Sequence, residues 1–174
     1  LNLASLESLL ADESYHSEFQ KSAREIFDKV GRRVGWDALP GEGHLDSLLR
    51  STVLTELGRY GDEKTLSEAS NRFLLFTEDP MAVHPDIRTV VFKLTAKRGD
   101  RSTYDKMWEL QEQANLEEEK VRLLRALVRF EHPELLRETL ERALSPDVRT
   151  HNTISIVVGV ALNHQGRNLA WEFL

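Results

Sequence analysis

The chain has 174 residues, with 23 Lys and Arg against 29 Asp and Glu, and its formal charge of −6 makes it a poor partner for a phosphate backbone. Leu, Ile, Val and Phe supply 50 of the 174 residues, enough for a packed core, and no apolar run approaches the ~20 residues a membrane-spanning helix needs. The absence of cysteine removes disulfides, thiolate nucleophiles and Cys-ligated zinc, and fits a cytoplasmic setting.

In chain order, apolar residues recur three and four apart in nearly every segment, which places them on one face of a helix. Helices are expected near residues 2–10, 15–34, 43–58, 63–77, 86–98, 101–114, 116–130, 134–144, 150–163 and 167–174. Ile87, Val90, Val91 and Leu94 form one stripe. Tyr104, Met107, Trp108 and Gln111 form another, with Gln111 at its wet end, and Trp36, Trp108 and Trp171 read as core aromatics. Val121, Leu124, Leu127 and Val128 make a third stripe, and Leu135, Leu136, Thr139, Leu140 and Ala143 a fourth. From Ile154 to Leu162 the chain is apolar all round, which predicts a central, fully packed helix.

Gly61, Gly99 and Gly166 each follow a stripe where a left-handed C-cap is expected, and Asp62 and Asp100 are placed to cap the next helix. The pair Gly-Asp recurs 38 residues apart. Pro85-Asp86-Ile87-Arg88-Thr89 is echoed by Pro146-Asp147-Val148-Arg149-Thr150, with Pro at a helix start and Arg88 and Arg149 set to pair with carboxylates. These echoes predict an all-α, HEAT-like or armadillo-like stack of antiparallel helix pairs forming one domain over residues 1–174. The chain begins without Met and reads as a fragment of a larger domain, truncated at both ends.

Chemistry-bearing constellations are sparse. The six His at 16, 44, 84, 132, 151 and 164 form no local pair of the kind a helical zinc site uses. No strand-turn-helix element presents a nucleophile, and Gly31, Gly35, Gly41 and Gly43 do not form a phosphate cradle. Glu117, Glu118 and Glu119 read as a capped first turn, with Asn115 as N-cap and Glu118 paired to Arg122. No catalytic or metal-binding residue is expected in this chain.

The run from Gly35 to Arg50, GWDALPGEGHLDSLLR, contains Trp36, Pro40, Gly41, Glu42, His44, Leu45 and Arg50 and closely resembles the C-terminal domain of the puromycin-sensitive aminopeptidase family, zinc metallopeptidases of the gluzincin type. Glu117-Glu118-Glu119-Lys120 with Arg122, and Ala143-Leu144-Ser145 with Val148-Arg149, resemble two further family blocks. Asn163, Gly166-Arg167 and Ala170-Trp171-Glu172-Phe173 resemble its closing signature, so that the blocks span Asn2 to Leu174 in order. The resemblance implies a superhelical bowl that closes over a catalytic domain of the same polypeptide and helps admit or hold peptide substrates. It also implies zinc in the parent enzyme, although neither His-Glu-x-x-His nor Gly-x-Met-Glu-Asn occurs in this chain. The signature positions are expected to be structural. In luminal family members the residue before the position matching Asn163 tends to be Arg, suited to a peptide's terminal carboxylate. Leu162 stands here, which implies a cavity-facing position without that anchor. The alternative reading is a free-standing helical-repeat scaffold that binds a protein partner.

Overall fold

A computed structural model describes residues 3–146 and 148–174. The expected start of the first helix at Asn2 and the Asp147 of the second echoed turn lie outside the described residues. The elements are α1 (Leu3–Leu10), α2 (His16–Val34), α3 (His44–Arg59), α4 (Glu63–Glu78), a 3-10 turn (Pro80–Ala82), α5 (Pro85–Arg98), α6 (Arg101–Gln113), α7 (Glu117–Leu127), α8 (Pro133–Arg142), α9 (Thr150–Ala161) and α10 (Arg167–Phe173). No strand occurs among the described residues, so the fold is all-α as the periodicity predicts.

Two compact units divide the chain, Leu1–Val90 and Val91–Leu174, with the boundary inside α5. In the first, α2 lies against α3 at Gly31, where an added Cβ would sit 2.5 Å from Leu57 Cδ1. Val53, Leu54 and Leu57 of α3 and Leu66, Ala69, Phe73 and Phe76 of α4 are buried. Tyr60 closes this core, stacked on Phe27 and edge-on to Phe19 at centroid distances of 6.0 and 6.2 Å, while Arg24 donates to its carbonyl. Burial pushes the Tyr60 phenol well above its ordinary range.

Gly61 has φ 76° and reverses the chain after α3, and the Asp62 carboxylate accepts from Thr65 N at 2.9 Å to cap α4. Asp100 caps α6 in the same way through Thr103 N at 2.9 Å, and that bond holds its carboxyl below the usual carboxylate range. Gly99 and Gly166 do not take left-handed conformations, contrary to expectation. Each is required by close approach, since a Cβ would meet Phe130 Cε1 at 2.7 Å and Val160 O at 2.5 Å respectively.

In the second unit α6 packs on α7, α7 on α9, α8 on α9 and α10, and α9 on α10. Helices two apart in sequence therefore share a layer. Tyr104 sits at the centre, 5.3 Å from the Phe130 ring, with its hydroxyl 3.1 Å from Thr139 Oγ1 and Thr139 in turn donating to Leu135 O. Arg142 covers the Trp108 ring at 4.0 Å and pairs with Glu112, so the indole is buried beneath a paired guanidinium.

Several expectations need correction. Gln111 is buried and does not mark a wet end, because the side chains around α6 close over it. Pro146 precedes α9 by several residues and starts no helix, whereas Pro85 is the first residue of α5. The N-cap of α7 is Leu116, not Asn115, which moves Glu119 to the third helical position, 3.2 Å from Arg122, while Glu118 pairs with Arg122 as expected. Arg88 donates to the carbonyls of Val83 and Pro80, bracing the 3-10 turn. Trp171 is 81% exposed and takes no part in the core.

The largest correction concerns α9. Ile156 and Val160 are buried, but Ile154, Val158 and Leu162 are 70, 51 and 69% exposed. Their four-residue spacing forms an apolar stripe facing solvent. The helix is packed on one side only.

Candidate functional site

The signature residues fall into separate structural assemblies. In the first unit, Arg50 is 3% exposed, donates from Nε to Val34 O at 3.1 Å and pairs through Nη2 with Glu42 at 2.5 Å. It thereby ties the end of α2 to the loop before α3. Trp36 lies under the Arg72 guanidinium at 5.2 Å, and Arg72 grips Asp37 through two bonds of 2.8 and 2.9 Å. That fork lowers the Asp37 carboxyl below its ordinary range. Pro40 and Gly41 are exposed, with Gly41 at φ 88°, and His44 and Leu45 open α3 on its exposed side, where Gly43 N donates to Asp46.

In the second unit, Asn163 is a hinge pin. Its Nδ2 donates to Val128 O and Phe130 O, each at 2.9 Å, and its Oδ1 accepts from Gln165 N at 3.0 Å. One carboxamide thus satisfies carbonyls left over at the end of α7 and fixes the turn into α10. Arg149 pairs with Glu117 at 3.2 Å, as expected of a helix-start arginine. Arg167 is exposed on α10.

Leu162 belongs to a different feature. A groove of about 310 Å³ opens between α7 and α9 beside Lys93 of α5, and Leu162 forms part of its wall. Its apolar surface comes from Val121 and Leu124 of α7 with Val128 just after it, and from Ile156 and Val158 of α9 with Leu162 just after it. Gly159 makes this arrangement possible, because a Cβ there would stand 2.7 Å from Val128 Cγ2, so α9 can approach the end of α7 only at a glycine.

The polar lining is one-signed. Lys93, Arg125 and Arg129 border the groove together with Asn152 and Ser155, and among the described residues no carboxylate does, in a chain whose net charge is −6. An apolar floor with cations at its edge favours an occupant that is apolar and anionic at once. Periodicity identifies Val121, Leu124 and Val128 as a helix face without showing that α9 leaves part of it open. Asn152, Arg125 and Lys93 carry no sequence signal, since a single Asn or Arg on a helix resembles any other.

No three His, Asp or Glu side chains come together as a metal site among the described residues, so the residues present do not fit a zinc centre. No helix of the described residues is long and apolar enough to cross a membrane.

These features define an all-α domain of packed helices with an open, basic-edged apolar groove. The chain belongs to the ERAP1-like C-terminal domain family, whose model matches residues 1–174. It is similar to aminopeptidase M1-A of Oryza sativa subsp. japonica, 37% identical over 90% of this chain and 18% of that protein. Aminopeptidase M1 of Arabidopsis thaliana is 34% identical over 86% of the chain and 17% of that protein. Puromycin-sensitive aminopeptidase of Caenorhabditis elegans is 27% identical over 88% and 17%. The chain thus spans under a fifth of these relatives and corresponds to their C-terminal domain, not to a whole aminopeptidase.

Proposed function

We propose that this chain is the non-catalytic C-terminal part of a zinc-dependent aminopeptidase, enclosing the active-site chamber and helping to admit or hold peptides while a catalytic domain of the same polypeptide removes N-terminal residues. The relatives' names supply the reaction, and zinc would be held in that other domain. A superhelical bowl is the form such an enclosure takes. The layering of α7 with α9 and α8 with α10 supports it within the second unit. The cysteine-free composition supports a cytoplasmic setting, and the acidic charge speaks against nucleic acid as a partner.

The observation that carries the holding role is the α7/α9 groove, apolar within, edged by cations and lined by no carboxylate among the described residues. A segment with an apolar side chain and negative charge gains both burial and Coulomb attraction there. The test is a titration of the isotope-labelled chain with decapeptides, followed by amide chemical shifts. Saturable shifts concentrated at Val121, Arg125, Val128, Gly159 and Leu162 are expected. Shifts that are absent, or scattered over both units without saturation, would refute the holding role.

A further inference from the structure

The C-terminal end of α4 and the 3-10 turn that packs on it form a knob of exposed apolar side chains. Leu74 and Leu75 are more than half exposed, and Met81 in the 3-10 turn is 83% exposed. The turn that carries Met81 is pinned. Asp79 accepts from Met81 N at 2.9 Å, and Arg88 donates to Pro80 O at 2.6 Å and to Val83 O at 3.0 Å, with its guanidinium 5.2 Å from the centre of the Phe76 ring. These contacts account for the burial of Phe76 and Val83. Nothing in them calls for an apolar side chain at 81, where a polar residue would fill an exposed position equally well. A rigid turn that holds a methionine in water leaves little ordering cost to a contact made through that side chain.

Charge narrows what covers the knob. From Phe73 to Ile87 the sequence has Glu78, Asp79 and Asp86 and neither Lys nor Arg. The arginines on either side are engaged within the unit, Arg72 on Asp37 and Glu68 and Arg88 on the two carbonyls. Residues 1–90, the first unit, hold 10 Lys and Arg against 16 Asp and Glu, so they carry the whole net charge of −6 and residues 91–174 carry none. The same acidic surface on a second copy is therefore a poor partner, and an apolar socket with a cationic rim is a good one. The chain spans under a fifth of its relatives, and a socket on the remaining polypeptide meets the knob at the high effective concentration of a tether, which a free partner lacks.

We infer that Leu74, Leu75 and Met81 dock into an apolar, basic-rimmed socket on another part of the parent polypeptide, with Met81 as the central anchor and Glu78 and Asp79 toward the rim. This rests on the reading of the chain as the C-terminal part of a larger enzyme and goes beyond it by assigning a seam through which the two parts are joined.

The test is peroxide oxidation of methionine to its sulfoxide, mapped by mass spectrometry, in the full-length parent and in the isolated chain. The exposed reference in both is an added acetyl-Asp-Pro-Met-Ala-Val-amide peptide. In the isolated chain Met81 should keep pace with the reference, while the fully buried Met107 lags and reports that the chain is folded. In the parent Met81 should react about tenfold more slowly than the reference, independently of protein concentration. Amide exchange over residues 79–83 of the parent reads the rim. Met81→Leu should leave it unchanged, Met81→Glu should speed it about threefold and Met81→Lys about tenfold, because a lysine meets a rim of its own sign.

Met81 that oxidises as fast as the reference, in a parent that removes N-terminal residues, would overturn this inference and leave the enclosing role standing. A parent without that activity but with Met81 protected would refute the enzyme reading and support the seam. Met81 as slow in the isolated chain as in the parent would place its cover inside this chain and overturn the inference. Protection that fades on dilution of the parent would assign the knob to a second copy and overturn the socket on the same polypeptide. Exchange speeded more by Met81→Glu than by Met81→Lys would overturn the cationic rim.

Discussion

Asn163 offers a sharp test of how the second unit is held together. Replacing it with Ala removes two donor bonds of 2.9 Å, to Val128 O and Phe130 O, and one acceptor bond of 3.0 Å from Gln165 N. At about 1 kcal/mol net for each bond, and with the two carbonyls partly buried, the loss should reach ~2–3 kcal/mol. For a chain of this size that lowers the thermal midpoint by roughly 5–10 °C. Asn163→Asp separates hydrogen bonding from packing. It keeps the shape but brings a carboxylate against two carbonyls at the negative end of α7, so it should be more damaging than Ala at pH 7. Circular dichroism melts of the three proteins give the ranking wild type, Ala, Asp. An Asp variant as stable as wild type, or an Ala variant within 1 °C of it, would show that the donor bonds do not hold the end of α7.

Gly159→Ala sets a helix-propensity gain of about 1 kcal/mol against overpacking on Val128, which typically costs about 1–3 kcal/mol, so it should destabilise the chain. The same change made in a Val128→Ala background should cost less, because only the 3.1 Å contact with the Cβ of residue 128 then remains. Arg50→Ala breaks a buried pair; such losses run to about 3–5 kcal/mol, and because Glu42 keeps 18% of its side chain in water the low end is expected. Protease cleavage between residues 36 and 43 should then accelerate. Asp37, whose carboxyl is held below its ordinary 3.8 by Arg72, contributes stability that is complete above about pH 4 and is lost as pH falls through the lowered value. Asp37→Asn should therefore flatten the fall of the thermal midpoint between pH 4 and pH 2, while an unchanged acid slope would show that the Arg72 fork does not persist in solution.

The helices were legible because their signals are local. Asp62 and Asp100 sit where free amides need acceptors, and the stripes of α5 and α8 repeat at three and four residues, so each turn declares its own buried side. What failed was decided by distant residues. Gln111 is buried by side chains around it that no window of α6 reveals, and Gly99 and Gly166 are glycines because of Phe130 and Val160, not because of the turns they occupy. In α9 periodicity had nothing to say, since a helix apolar on every side carries no polar face to mark the solvent. The open stripe of Ile154, Val158 and Leu162 depends on which neighbours arrive, and α7, α8 and α10 cover only the other side.

That illegibility bears on function. Where a local conflict has a structural remedy in this chain, the remedy is visible: Arg50 is buried but doubly engaged, and Asn163 is polar among helix ends but saturated. Trp108 Nε1 and Gln111 Oε1 lack partners but are shut inside the core of the second unit, where no ligand group is needed to explain their neighbours. The α7/α9 groove differs in that two unremedied features meet on one open surface: Val158 and Leu162 of the apolar stripe in water, and Arg125, which has no counterion among the described residues. Each alone is a modest cost that a stability-driven sequence would remove by one substitution. Their convergence follows if the missing burial and the missing carboxylate come from one occupant, and a peptide with an apolar and an acidic side chain supplies both.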